Sequence, residues 1–288
     1  MRIFLYILIA VTACFSTFPA NVSAQDGTGG VESPFAIGVG ARALGMGSAS
    51  VAYANDPSSF YWNPASMTVV DQKGAALSLT TLFEGTQHHF IGYVHPTMTA
   101  GTFGFGIVRI GTGGIDHRDY DRGVPVHYGD FDFWWGKLTL SYAKKVWGGL
   151  SLGVNFNSNR QVMLNYSANG FGFDIGAHYG LTDHEGFLSD LYFGFDFVNA
   201  MKPRLRLGTQ SEMIPSMIRF GLAKGFKFGD DKNHWFFLFD LEKWESKNIG
   251  HHLGTELMLN RSFFLRLGHG GKGITFGGGL RFRQFQLD

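Results

Sequence analysis

Residues 150–157 read Leu150-Ser151-Leu152-Gly153-Val154-Asn155-Phe156-Asn157. Every second side chain is large and apolar, and the ones between are small or polar. Side chains of a β-strand point alternately to its two faces, so this stretch has one greasy face and one polar or empty face. The same period recurs on either side. Phe171, Phe173, Ile175, Ala177 and Tyr179 oppose Gly172, Asp174, Gly176 and His178. Leu191, Phe193, Phe195 and Phe197 oppose a face with Gly194 and Asp196. Near the end, Ile274, Phe276, Gly278, Leu280 and Phe282 oppose Thr275, Gly277, Gly279, Arg281 and Arg283.

A soluble sandwich buries its greasy face; a membrane barrel turns that face to lipid and its polar face to the lumen. Three features select the membrane barrel. The blocks run about 8 to 11 residues, close to what a tilted strand needs to cross a bilayer. The apolar faces carry aromatics and Leu with few small residues to interlock. Charges recur on the other face, at Asp174, Asp196, Arg219, Asp240, Glu256, Arg266 and Arg281, where a soluble core would bury them at a cost of several kcal/mol each unless they were paired. No stretch after the N-terminus supplies the 18 or more apolar residues of a membrane helix. The fold class is therefore all-β, a transmembrane antiparallel up-and-down β-barrel.

About a dozen strands are expected, starting near residues 74, 88, 100, 136, 149, 171, 191, 216, 234, 250, 262 and 273. The longest connections, 111–135, 159–170 and 199–215, all follow odd-numbered strands. Most of the others are short, with 180–190 the exception. That asymmetry places the long loops outside the cell. Phe285-Gln286-Leu287-Asp288 reads as the opening of another strand. Because bacterial single-chain barrels close on an even count, the chain is expected to be truncated before its last strands.

Composition agrees. Charged residues make up 16% and aromatics also 16%, with 41 Gly and 29 Phe; soluble domains carry about 25% charge. The net charge of +1 offers nothing for a nucleic-acid partner. Arg2, the apolar run 3–18 and Val22-Ser23-Ala24 form a secretory signal peptide (1–24), with the mature chain starting at Gln25. The single Cys14 lies inside it. A lipoprotein cleavage site at Cys14 is less favoured because the stretch after it stays largely apolar. Without Cys14 no thiol or disulfide chemistry is available.

Residues 35–67 do not alternate, and with their flanks (25–73) they form a separate N-terminal segment ahead of the barrel (74–288). Asp56-Pro57 starts a short helix, with Asp as N-cap and Pro at the first position. The helix ends near Trp62, since Asn63 precedes Pro64. Three pieces stand out: Gly40-Ala41-Arg42-Ala43-Leu44-Gly45-Met46-Gly47, Ala54-Asn55-Asp56 and Tyr61-Trp62-Asn63-Pro64-Ala65. Together they resemble the N-terminal signature of the PorV/PorQ family, relatives of the FadL-type outer-membrane transporters of hydrophobic compounds. Ser48 and Ser66 stand where Gly is common. The resemblance implies a barrel of about 14 strands, about 12 of them in this chain, with the N-terminal segment folded inward as a plug. It makes Gly40, Arg42, Gly45, Gly47, Asp56, Trp62, Asn63 and Pro64 the motif residues. Arg42, Asp56 and Asn63 are expected to hold the plug by hydrogen bonds and an ion pair, with ligand contact or gating as the alternative.

Two functions follow from the resemblance. One is type IX protein secretion, with secretion subunits or cargo proteins as partners. The other is FadL-like passage of a hydrophobic ligand. Outer-membrane lipid surrounds the barrel in both. The loop 111–135 carries Asp116, Arg118, Asp119, Asp121 and Arg122 among aromatics and is the candidate partner surface.

Sharper chemistry does not hold together. His117-Arg118-Asp119 has Val124 where a kinase loop needs Asn, and Gly38-Val39-Gly40 has Ala43 where a dinucleotide loop needs Gly. His88-His89 and His251-His252 point to opposite faces of a strand and cannot chelate one metal. No catalytic residues, cofactor or metal site is assigned, and the chain is not expected to be an enzyme. Trp134, Trp135, Trp147, Trp235 and Trp244 lie at strand ends, where an interfacial aromatic girdle is expected.

Overall fold

The computed structural model describes residues 33–181, 186–229, 232–245, 247–271 and 273–288. The expected signal peptide, 1–24, lies outside the described residues. The strands are β1 (Gly74–Thr81), β2 (Gln87–Pro96), β3 (Thr102–Asp121), β4 (Val124–Trp147), β5 (Leu150–Met163), β6 (Tyr166–Gly180), β7 (Leu191–Met201), β8 (Arg204–Leu207), β9 (Gln210–Met213), β10 (Met217–Phe228), β11 (Asn233–Trp244), β12 (Gly250–Leu259), β13 (Phe263–Gly270), β14 (Gly273–Phe282) and β15 (Phe285–Leu287). Thirteen of them make one sheet in the order β1 to β7, then β10 to β15, while β8 and β9 pair only with each other. Every pairing is antiparallel between neighbours.

The two faces are sorted as the alternation requires. Leu152, Val154, Phe171, Ile175 and Phe276 are exposed on the outside, while Asn155, Asn157, Asp174, Asp196, Arg219, Asp240, Glu256 and Arg266 are buried inside. Aromatics meet across strands on the outer face, as Phe195 does with Phe220 at 5.0 Å between ring centroids. An apolar exterior around a charged interior inverts a soluble protein and defines a membrane barrel. Arg281 is the exception: it is exposed and bonds to Gln286 at 2.6 Å beside the short edge strand β15.

Three of the expected loops are largely strand. Residues 111–135 form a long hairpin, so Asp116, Arg118, Asp119 and Asp121 stand on β3 rather than in a loop. The chain reverses at Arg122 and Gly123, both at positive φ (50° and 82°), the geometry of a tight two-residue hairpin turn. Residues 159–170 are the ends of β5 and β6 around a turn at Leu164 and Asn165, and 199–215 contain the β8–β9 hairpin. The strand expected from Phe285 is present as β15. In the N-terminal segment the helix covers Ser59–Trp62, later than Asp56 was expected to start it. Asp56 instead accepts from the Ser58 backbone N–H at 2.7 Å, closing a turn that leads into the helix.

The N-terminal segment lies against the inner face of the sheet. A Cβ on Gly268 of β13 would run into Met46 and Gly47, and one on Gly153 of β5 into Pro64 and Ala65. The empty positions of the alternation are thus where two backbones meet. Strands as far apart in the sheet as β3, β5, β7, β10 and β13 all touch this one segment, which requires the sheet to curl around it.

Candidate functional site

The segment is held first by apolar packing. Phe35, Val39, Phe60, Met67 and Val70 bury against Phe90, Val94, Val108, Ile110 and Ala143 of β2, β3 and β4. Met46 and Tyr53 pack on Tyr192, Ala223, Phe236 and Leu238, with the Tyr53 and Phe236 rings stacked at 4.5 Å. Burial pushes the Tyr53 hydroxyl up to about 12, so it stays protonated.

It is held second by charge. Arg42, on the helical turn Ala41–Gly45, is 4% exposed. It donates to both carboxylate oxygens of Glu256 on β12, from Nε at 3.0 and 3.2 Å and from Nη2 at 2.9 Å. Arg266 on β13 donates to the same Glu256 at 2.6 Å and to Asp288 at 2.7 Å. The expected Arg42–Asp56 pair exists at a looser 3.6 Å. Burial opposes the charge on Arg42, but the Glu256 and Asp56 carboxylates outweigh it and hold the guanidinium above its ordinary pKa. Glu256 therefore bridges two arginines, one on the segment and one on the wall.

The other motif residues have structural posts. Asn63 caps the 3-10 turn Pro64–Val69 by accepting from Ala65 N at 3.0 Å, and its Nδ2 donates to the carbonyls of Val51 and Ala177, each at 3.0 Å. Trp62 donates from Nε1 to Val39 O at 3.2 Å, and Arg219 lies over its ring. Gly40 (φ 82°) begins the Arg42 turn. Gly45 packs on Gly277 of β14, while Gly47 donates to Thr275 at 2.9 Å and accepts from His252 Nδ1 at 2.7 Å. Ser48 has φ 69°, the left-handed region that favours Gly, so a side chain here carries a backbone cost.

Between the segment and the ends of β7, β10, β11 and β13 lies a cavity of about 320 Å³. One wall is the segment, through Phe35, Ile37, Leu44 and Trp62; the opposite wall brings Ile214, Met217 and Trp244. Asn159, Asp174, Arg219 and Asp240 add polar groups. A small pocket that sets apolar side chains beside several charged ones suits a small molecule. Trp244, 4% exposed, borders it, and Trp135 packs inward against Phe35 at 6.4 Å. These two leave the expected girdle, while Trp147 and Trp235 are exposed on the outside.

The sequence reading missed the partners that the fold brings to Arg42 and the cavity itself. The alternation did flag Glu256, Arg266, Arg219 and Asp240 as inward charges, but not which of them meet. On the hairpin, Asp116 pairs with Arg118 at 2.6 Å and bonds to His127, which keeps its carboxyl below the usual range. Asp130 joins this exposed group. Asp119 bonds only its neighbour Tyr120 N, at 2.7 Å.

No protein-family model and no curated protein matches the chain. Among solved structures it shares the fold of FadL-type outer-membrane barrels. The crystal structure of a Pseudomonas aeruginosa FadL homologue aligns over 86% of this chain and 87% of its own, with a TM-score of 0.57 and 14% identity. The Ralstonia pickettii toluene transporter TbuX aligns over 84% and 88%, with a TM-score of 0.51 and 14% identity.

Proposed function

We propose that this protein is an outer-membrane transporter that takes hydrophobic small molecules into its barrel, with the N-terminal segment as the plug beneath the binding cavity. The carrying observation is the cavity itself: a pocket of mixed apolar and charged lining inside a membrane barrel, bordered by the motif-bearing segment. The fold likeness to a FadL homologue and to a toluene transporter supports this reading over secretion, the order opposite to the one the N-terminal wording suggested. In it, residues 1–24 direct export and are removed, residues 25–73 carry the plug, and Arg42, Asp56 and Asn63 anchor it. The second reading, a type IX secretion adaptor, draws on the hairpin that carries Asp116, Arg118, Asp119, Asp121 and Arg122, which offers a surface to a partner protein.

The test is the initial uptake rate of radiolabelled toluene into cells with and without the protein in the outer membrane. Faster uptake supports transport. Equal rates, together with co-purification of secretion subunits or cargo from detergent-solubilised membranes, would move the secretion reading ahead.

A further inference from the structure

The cavity borders two carboxylates that no side-chain cation answers by a hydrogen bond, Asp174 and Asp240, and of these Asp240 has an oxygen left without a partner. Asp240 lies mid-strand in β11 and is 2% exposed. Its Oδ2 accepts from the backbone N–H groups of Ser50 and Val51, at 2.6 and 2.9 Å. Its Oδ1 is buried and has no hydrogen-bond partner among the described residues. Oδ1 fits into the room that Gly221 on the neighbouring strand provides, since a Cβ at that position would sit 2.6 Å from it.

The other charged groups of the cavity are committed. Arg219 donates to Asp196 at 2.6 Å and to the Tyr61 carbonyl at 3.0 Å. Lys137 rests over the rings of Phe35 and Tyr61, at 5.4 and 4.8 Å. Asp174 accepts from Asn155, Asn157 and the Asn199 backbone. Glu242 faces His252 at 3.5 Å. With Asp196 behind Arg219, four carboxylates (Asp174, Asp196, Asp240, Glu242) stand against two cations (Lys137, Arg219), so the balance is negative whatever the charge of His252.

A buried carboxylate lacking a cation is costly, and an anionic group brought beside it adds repulsion. A cationic group brings the missing charge. We propose that the ligand is an apolar molecule bearing a protonated amine, with the ammonium donating to Asp240 Oδ1 and the apolar body lying along Ile37, Leu44, Ile214, Met217 and Trp244. This deepens the transporter reading and rests on it.

The experiment is calorimetric titration of the full-length protein in zwitterionic lipid nanodiscs, with empty nanodiscs subtracted, using decylamine, decanol, decanoate and toluene. Decylamine is expected to bind about tenfold or more tighter than decanoate. Asp240→Asn, which keeps an acceptor for Ser50 and Val51, is expected to bring decylamine down to the level of decanol. Decanoate binding as tightly as the amine overturns the inference, as does an amine preference that survives in Asp240→Asn. Binding of decanol or toluene without the amine sinks the inference and leaves the transporter standing. Binding of none of the four removes the transporter reading itself.

Discussion

The inner wall grips the N-terminal segment by different physics at the two ends of the sheet. On β2, β3 and β4 the contact is an apolar cluster built around Phe60, Met67 and Phe90, all essentially without exposure. On β12 and β13 it is the chain of charges Asp56, Arg42, Glu256, Arg266 and Asp288. Apolar contact has no preferred direction and adds up over area, so it tolerates a change of shape. A buried ion chain is directional and collective, because removing one member strands the others. The first grip sets how strongly the segment is held, and the second sets where it sits.

The comparison breaks most sharply at Gly268. Gly268→Leu puts a side chain into the backbone of Met46 and Gly47, beside the charged grip. The expected outcome is loss of the folded, heat-modifiable form on cold electrophoresis; a normal folded band would show that the segment does not need this seat. Next is Glu256→Gln, which keeps the shape but leaves Arg42 and Arg266 without their shared carboxylate. It should cost about 3–5 kcal/mol, read as a lowered Tm with early proteolysis of the segment. An unchanged melt would mean the ion chain contributes nothing. Phe60→Leu, in the apolar grip, should cost only about 1 kcal/mol; a loss as large as that of Glu256→Gln would erase the distinction between the grips. The smallest effect is expected at Ser48→Gly, which relieves a left-handed backbone and should stabilise by roughly 0.5 kcal/mol after the larger unfolded-state entropy of Gly is subtracted. A lowered Tm there would assign the Ser48 side chain a contact of its own.

The strands were legible wherever one face meets lipid and the other meets the lumen, since that contrast writes the period of two into the sequence. It fails where the same strand leaves the membrane. Beyond Gly111, β3 runs on through Ile115, Asp116, His117 and Arg118 with water on both faces, so no alternation marks it and it reads as loop. β8 and β9 are four residues each, too short for a period to register. The inward charges were legible one by one, but their pairing depends on strand register across the barrel. Arg42 and Asp56 lie close in sequence and were matched for that reason, while the tighter partner, Glu256, comes from a distant strand. The Gly positions carried more than was read from them: several of the empty slots of the alternation trace the path of the N-terminal segment.

The Arg42–Glu256 contact spans 214 residues of chain. The segment precedes the barrel in the chain, yet its seat is completed by strands near the other end. Closing so long a loop is entropically unfavourable and cannot be rewarded until the late strands are in place. Docking of the segment therefore belongs to the end of folding, and until then Arg42 and its apolar neighbours stay uncovered.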